Sequence, residues 1–420
     1  MSVCNRFQYL VSISMTQKYI FLIILSLSIL SCQDNSPTNG DSDGNDDHGS
    51  TPEQEETSGD FVMGADLSYV NQILDKGGTY RDSGTVENPY KIFSDYGTDV
   101  ARFRLWHDPE WTANVYEGED NPMYNDLADV KRAIRQAKKH GMGVNLDFHY
   151  SDTWADPDHQ NIPEAWRDIT DLEKLKDVVY NYTKETLQHL EGEGLMPEYV
   201  QIGNETNCGL MYSNAPQDFP SLNVCDGHWS NTGEVINSGI EAVREVSSSS
   251  DVDTKIILHI AQPENVSWWF DNLTTTGNVT DFDIIGFSYY TPWSDVSLNQ
   301  ISDHVSDFRD AFDKEVMIVE TAYPWTMDYA DDYNNQFGSN ALVDGYPATK
   351  EGQRDFMIDL TKEVMGGGGS GLMYWEPAWI TSNMKDQWGT GSSWENNTLF
   401  DFEGNVHQGI EYINYDYESN

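Results

Sequence analysis

The chain has 420 residues, 38% of them hydrophobic and 12% aromatic, which is enough for one large domain or two of ordinary size. Acidic residues outnumber basic ones by 70 to 24, so the formal net charge is −46. This charge argues against a nucleic-acid partner and against an anionic polymer, both of which need basic surface, but a neutral polysaccharide would not be repelled.

The N-terminal segment has the features of an export signal. Lys18 precedes an apolar run over residues 19–30 that is too short for a comfortable membrane span. The run ends in Ile29-Leu30-Ser31-Cys32, which resembles the bacterial lipobox, in which the cysteine is lipidated. We predict a signal peptide over 1–31, lipidation of Cys32 and a membrane-anchored lipoprotein at the outer membrane or cell surface. A plain signal peptide is the alternative.

Residues 32–60 form a tract of Asp, Asn, Ser, Gly, Glu and Pro. Such a tract cannot bury apolar area, so we predict a disordered acidic linker and place the catalytic domain at 61–420. Of the four cysteines, Cys4 and Cys32 belong to the export segment. In an oxidising compartment, the remaining Cys208 and Cys225 are expected to form a disulfide.

From residue 61 onward, short apolar runs alternate with segments of helical periodicity. Eight runs are predicted as strands: Phe61–Asp66, Asp99–Leu105, Gly143–Phe148, Tyr199–Gly203, Lys255–Ile260, Ile284–Ser288, Val316–Thr321 and Gly371–Trp375. Four segments are predicted as helices: Asp126–His140, Asp171–Glu193, Thr232–Val246 and Glu351–Met365. This alternation predicts a single (β/α)8 TIM barrel, an α/β fold. A doubly wound sheet is the rival, but no Gly-rich dinucleotide loop follows the first strand.

Functional groups of such barrels lie at the C-terminal ends of the strands. The fourth predicted strand runs into Asn204 and Glu205, and the seventh carries Glu320 at its end. Strands three steps apart around a ring of eight can bring two carboxyl groups to about 5–5.5 Å, the separation that retaining glycosidases use. The pair therefore predicts a retaining glycosidase.

Seven blocks at or near these strand ends carry a family resemblance: Gly64 to Ser68, Arg102 to Trp106, Asp147 to Pro157, Gly203 to Glu205, Gly286 to Tyr290, Glu320 to Tyr323 and Leu399 to Phe402. They resemble the large clan of retaining glycosidases with (β/α)8 barrels and, more narrowly, glycoside hydrolase family 53, the endo-β-1,4-galactanases. The block from Asp147 to Pro157 is long and close to diagnostic. The insert between Cys208 and Cys225 is less typical of the family.

The resemblance implies that Glu205 is the general acid/base and Glu320 the nucleophile. An ionised nucleophile needs donors, and either arginine of the second strand, Arg102 or Arg104, and either Tyr289 or Tyr290 could supply them. The substrate contacts expected on this basis are Asp66, Arg104, His149, Trp154, Asn204, Tyr290, Trp293 and Trp375, with Trp325 as a further stacking platform. Purely structural roles remain open for Asp66, which could buttress the site, for a packed His149 and for the rim tryptophans.

The resemblance also implies a structural calcium ion between the loops after strands seven and eight. The oxygen ligands available are Asp328, Asp331, Asp332 and Asn335 in one loop and Ser392 and Glu395 in the other. Solvated loop carboxylates are the alternative, because the spacing departs from the family's pattern. Catalysis itself is expected to need no cofactor.

The expected activity is internal cleavage of β-1,4-galactan, a neutral polysaccharide, by a monomeric enzyme. One alternative is another retaining endo-β-glycanase, such as a mannanase or glucanase. The other is a surface glycan-binding lipoprotein that has lost catalysis, against which the retention of both Glu205 and Glu320 argues.

Overall fold

The structure, a computed structural model, describes residues 61–118 and 121–418; the predicted signal peptide, Cys32 and the linker lie outside them. Within these residues, eight parallel strands close into a barrel, because β1 pairs with both β2 and β8. The strands are β1 Val62–Asp66, β2 Val100–Leu105, β3 Gly143–Phe148, β4 Tyr199–Ile202, β5 Lys255–Ala261, β6 Ile284–Tyr289, β7 Glu315–Thr321 and β8 Gly371–Tyr374. Each predicted strand is confirmed to within a residue at either end.

Helices cover the outside of the barrel between successive strands. They are α1 Val70–Asp75, α2 Pro89–Asp95, α3 Glu110–Asn114, α4 Leu127–Lys139, α5 Leu172–Glu191, α6 Trp229–Ser247, α7 Pro263–Thr275, α8 Ile301–Phe312 and α9 Lys350–Gly366. Asp126 and Asp171 cap α4 and α5 by accepting a backbone N–H of the first turn. None of the helices in the described ranges is long and apolar enough to cross a membrane.

The barrel interior has an apolar layer below and a polar layer above it. The apolar layer is a cluster from five strands, formed by Val100, Ile257, Ile284, Met317, Val319 and Met373. Gly286 leaves room for this packing, since a Cβ there would come within 2.7 Å of Ile257. Side chains two residues further along a strand point the same way, so Arg102 and His259 extend into the interior above this layer.

A register shift between β6 and β7 determines where Glu320 sits. Phe287 pairs with Ile318, but the next residue, Ser288, pairs with Glu320, so Val319 is passed over. An extra residue of this kind re-aims the side chains that follow it, and such bulges are frequent beside active sites. Val319 thereby stays in the apolar layer while Glu320 faces the barrel mouth.

The loop after β4 is closed by a disulfide. Cys208 and Cys225 are bonded, with their Cα atoms 5.0 Å apart. The bond holds together the rim segment that follows Glu205 in the chain.

Candidate active site

A cleft of about 570 Å³ opens at the C-terminal ends of the strands. Nine of the residues predicted to act in catalysis or substrate binding line it: Arg104, His149, Trp154, Asn204, Glu205, Tyr290, Trp293, Glu320 and Trp375. The structure therefore brings together side chains from six strand ends that are far apart in sequence. Asp66 does not line the cleft.

Glu320 is buried at the base of the cleft, with one donor beside each of its carboxylate oxygens. Nη2 of Arg102 is 2.9 Å from Oε1, and the hydroxyl of Tyr290 donates to Oε2 at 3.0 Å. Burial raises the pKa of Glu320 to about 7, while Arg102 and the Tyr290 hydrogen bond oppose that rise by favouring the carboxylate. Of the predicted donors, Arg102 and Tyr290 are thus the partners, whereas the hydroxyl of Tyr289 donates to the backbone of Val296.

Arg102 connects Glu320 to the polar layer of the barrel. Its Nη1 is 2.7 Å from Asp66, its Nη2 is 2.8 Å from both Asp147 and Asn204, and its Nε donates to Gln201. Burial opposes the charge on Arg102, but the carboxylates around it raise its pKa above the usual range. The guanidinium therefore stays charged and fixes the position of its partners.

Asp66 is a support for Arg102 rather than a substrate ligand. It is fully buried, its Oδ2 pairs with Arg102, and its Oδ1 accepts from the backbone N–H and hydroxyl of Ser68. Of the two roles considered from the sequence, this geometry favours the buttress, because both carboxylate oxygens have partners inside the protein and neither is exposed.

Glu205 directly follows Asn204 beyond the end of β4, in a left-handed backbone conformation with φ of 44°. For a non-glycine residue this conformation costs about 1 kcal/mol, and such strain is concentrated at functional sites. Burial and then the charge of Glu320 raise the pKa of Glu205 well above its ordinary value, and a hydrogen bond from Ser288 opposes them. The two carboxyl groups thus have different surroundings, which suits one to hold a proton and the other to be ionised.

His149 lines the cleft with its ring, because both of its nitrogens are used inside the protein. Nδ1 accepts from the indole N–H of Trp106 and from the backbone of Ala155, so the proton is on Nε2, 3.0 Å from Asp147. A sugar therefore meets the face or edge of this imidazole rather than a free nitrogen.

Arg104 is held between aromatic rings at the side of the cleft. Its guanidinium carbon is 4.1 Å from the ring centre of Tyr69 and 4.3 Å from that of Trp154, and Nη1 is 2.7 Å from Glu376. Its Nε and Nη2 have no hydrogen-bond partner in the protein. Arg104 thus packs against Trp154 at the side of the cleft, with two buried N–H groups that have no partner in the protein.

The cleft contains more tryptophan than the sequence analysis identified. Trp293 and Trp388 are 48% and 64% exposed, so their rings are available to a ligand. Trp388 was not predicted; it lies in the irregular segment after β8, where no periodic pattern indicates which way a side chain points. Trp325, expected as a platform, is not part of the cleft, because it packs against Phe402 and His407.

Hydrogen bonds within the protein use several oxygens of the predicted calcium ligands. Backbone N–H groups of Tyr333 and Ser392 donate to the two oxygens of Asp331, and that of Ala330 donates to Oε1 of Glu395. The hydroxyl of Thr381 lies between Asp331 and Glu395 and can donate its one proton to either. Among the described residues, no cluster of three or more acidic, His or Cys side chains could hold a metal. The expectation that Asp328, Asp331, Asn335, Ser392 and Glu395 coordinate calcium is therefore not supported.

Comparison with known proteins agrees with this geometry. The profile of Glycosyl hydrolase family 53 matches residues 62–413. The chain belongs to glycosyl hydrolase family 53. Among curated members, it is 43% identical over 341 residues to the arabinogalactan endo-beta-1,4-galactanase of Cellvibrio japonicus, covering 81% of this chain and 86% of that protein. It is 30% identical over 394 residues to the endo-beta-1,4-galactanase of Bacillus subtilis, covering 85% and 86% respectively.

Solved structures of the family show the same fold. The GH53 catalytic domain of Ignisphaera aggregans superimposes with a TM-score of 0.74 at 32% identity, covering 84% of this chain and 95% of that one. A fungal beta-1,4-galactanase gives a TM-score of 0.69 at 27% identity, covering 84% and 99%. This chain thus has the fold of the family together with a cleft of polar side chains at the strand ends.

Proposed function

We propose that this protein hydrolyses internal β-1,4-galactosidic bonds of galactan or type I arabinogalactan with retention of anomeric configuration. Supporting the proposal are its family membership and the galactanase names of its relatives. The observation that carries the chemistry is the pair Glu205 and Glu320, which line one cleft with unlike hydrogen-bond partners.

In the first half-reaction, Glu320 attacks the anomeric carbon and forms a glycosyl-enzyme ester, while Glu205 gives its proton to the departing oxygen. The pKa of Glu205 is raised above that of an ordinary carboxyl, so it retains the proton it must donate. Arg102 and Tyr290 supply donors to the attacking carboxylate. In the second half-reaction, Glu205 takes a proton from water, which then attacks the same carbon and releases Glu320.

The cleft suits an extended neutral chain. Exposed Trp293 and Trp388 both line it, as does Trp375, and ring faces of this kind stack on the C–H faces of sugars. The net charge of −46 does not repel a polymer without charge. We propose that the enzyme acts as a monomer and cleaves within the galactan chain. A sugar whose hydroxyls are placed differently leaves buried polar groups of the site unpaired, which strongly lowers kcat/KM. Mannan and β-glucan should therefore be poor substrates.

The test is made on the purified residues 61–420. Glu320→Gln should lose essentially all turnover and still bind galactan. Glu205→Ala should retain cleavage of an aryl galactoside with an activated leaving group and be accelerated by azide, because only proton transfer is missing. An inverted first product by NMR would contradict the mechanism. Comparable kcat/KM on galactan and on mannan would contradict the substrate.

We further propose that Cys32 is lipidated and anchors the protein at the outer membrane or cell surface. The support is the apolar run ending in Ile29-Leu30-Ser31-Cys32, followed by the acidic tract to residue 60. Cys32→Ala should move the protein from the detergent fraction to the soluble fraction of the producing bacterium. Unchanged fractionation would exclude this anchor.

A further inference from the structure

The hydroxyl of Ser288 lies between the acid/base and a buried histidine. Its Oγ is 2.6 Å from Oε1 of Glu205 and 2.9 Å from Nε2 of His259. A hydroxyl carries one proton, so Ser288 can donate to only one of these two atoms. The position of the imidazole proton therefore decides the direction in which Ser288 donates.

The surroundings of Nδ1 determine where that proton is. Nε2 of Gln201 lies 3.0 Å from Nδ1 of His259, and the backbone nitrogen of Glu205 lies 3.4 Å away; both are N–H donors. The amide of Gln201 cannot be reversed, because its Oε1 accepts from Arg102 and Asn145. These donors need a lone pair on Nδ1, which places the proton on Nε2.

Asn204 is the neighbour of Nδ1 that would favour the other tautomer. Its Oδ1 is 2.9 Å from Nδ1 of His259, but it already accepts from Arg102 at 2.8 Å. A proton on Nδ1 would give Asn204 a second hydrogen bond and would leave the side-chain N–H of Gln201 facing another donor. The Nε2–H tautomer leaves Nδ1 and Oδ1 of Asn204 as two facing acceptors, but it satisfies the N–H donors of Gln201 and Glu205. The Nδ1–H tautomer would leave both of these donors without that acceptor, so the Nε2–H tautomer is preferred.

The imidazole is neutral, so a single proton is at issue. His259 is fully buried, and burial, followed by the charge of Arg102 and by His149, lowers its pKa well below the usual value.

Several charged groups act on Glu205 alongside Ser288: Glu320 and Asp156 raise its pKa, and Arg102 lowers it.

We propose that His259 is a positioning residue for the acid/base: its Nε2–H fixes Ser288 so that the serine hydroxyl donates to Oε1 of Glu205. This inference rests on the proposed role of Glu205. The hydrogen bond favours the carboxylate form, which must take a proton from water in the second half-reaction. The transferable proton is carried on Oε2, so Oε1 accepts from Ser288 in both states and His259 neither gains nor loses a proton during turnover.

Kinetics test the consequence. Ser288→Ala removes the donor, and Ser288→Thr keeps it as the matched control. Without the donor the pKa of Glu205 rises, so less of Glu205 is in the ionised form that the second half-reaction needs at neutral pH. On an activated aryl β-galactobioside, for which the second half-reaction limits turnover, kcat of Ser288→Ala should fall about tenfold or more. The alkaline limb of kcat/KM for galactan should move to higher pH, and Ser288→Thr should restore both. An unchanged alkaline limb in Ser288→Ala overturns the proposal.

Nitrogen-15 NMR of histidine-labelled enzyme tests the tautomer without any turnover. The His259 resonances, assigned by their loss in His259→Gln or by their shift in Ser288→Ala, should be those of the Nε2–H form. The Nδ1–H form would overturn the proposal. If instead Glu205→Ala shows no azide rescue, the role of Glu205 is wrong while the tautomer result still stands, so the two failures are distinguishable.

Discussion

Tyr290 donates a hydrogen bond of 3.0 Å to Oε2 of Glu320, while Arg102 lies 2.9 Å from the other oxygen of the same carboxyl group. Both donors stabilise the ionised form, against the burial that raises the pKa of Glu320 to about 7. The two donors thus favour the carboxylate form of Glu320 that the proposed mechanism needs, despite its burial.

Tyr290→Phe should raise the pKa of Glu320 further, because a donor to the carboxylate is lost. The protonated carboxyl is inactive, so the acid limb of kcat/KM should move to higher pH. Turnover should fall by about 10²–10³-fold, as for other single donors to reacting charge. Tyr289→Phe is the matched control, because that hydroxyl donates to the backbone of Val296. An acid limb that stays in place in Tyr290→Phe would refute this role.

Replacing one residue of the buried pair Arg104 and Glu376 should lower the free energy of unfolding more than replacing both. Both side chains are almost completely inaccessible, so Arg104→Met leaves a buried carboxyl without its cation and should lower the free energy of unfolding by about 3–5 kcal/mol. Arg104→Met combined with Glu376→Gln should recover part of that loss. Urea unfolding measures both variants, and Lys91→Met at an exposed pair is the control with a far smaller effect. Additive losses would show that the pair does not interact.

Trp388→Ala should weaken binding of long galactan chains and spare the chemical step. Its ring is 64% exposed and lines the cleft. We expect KM on galactan to rise up to about tenfold, with kcat nearly unchanged and hydrolysis of a short aryl substrate unaffected. Trp268→Ala, at an exposed tryptophan that does not line the cleft, should have no such effect. Equal effects of the two substitutions would remove Trp388 from the binding surface.

Chelation should leave the protein as stable as before. Asp331 and Glu395 meet at the hydroxyl of Thr381, which joins the loops after β7 and β8 directly. EDTA followed by excess calcium should therefore not change Tm, whereas Thr381→Val should lower the free energy of unfolding by roughly 1–3 kcal/mol. A calcium-dependent rise in Tm would restore the metal site.

The stability that the contact between Glu395 and Asp331 provides should depend on pH. Burial raises the pKa of Glu395, and Asp331 raises it further, so the folded chain holds this proton more tightly than the unfolded chain does. The corresponding stabilisation is present at low pH and is lost as the pH rises through the folded-state pKa.

Much of this architecture is predictable from the sequence. Fully buried parallel strands are apolar runs, and the polar residues that end them mark the barrel mouth, which is why Glu205 and Glu320 were identified. The choice between Arg102 and Arg104 was not predictable, because residues two apart face the same way and differ only in depth. How deep each arginine lies in the barrel depends on the side chains packed beneath it, and the local sequence pattern does not indicate these.

The long loops are less predictable from the sequence. Trp325 and Trp388 are both aromatic residues in irregular segments, and only the folded chain distinguishes the packed ring from the exposed one. The calcium site stays a prediction made from oxygen-bearing residues, and the sequence does not indicate that backbone N–H groups donate to Asp331 and Glu395. The tautomer of His259 depends on three strands meeting, so sequence alone could not indicate it.

Arg102 constrains the order in which the chain can assemble. Its partners come from β1, from β3, from the end of β4 and from β7, so its charge is fully compensated only after distant parts of the sequence have met. Without β7, Arg102 keeps Asp66 and Asp147 but lacks Glu320. The contacts that complete the polar layer around Arg102 are thus among the contacts that close the barrel.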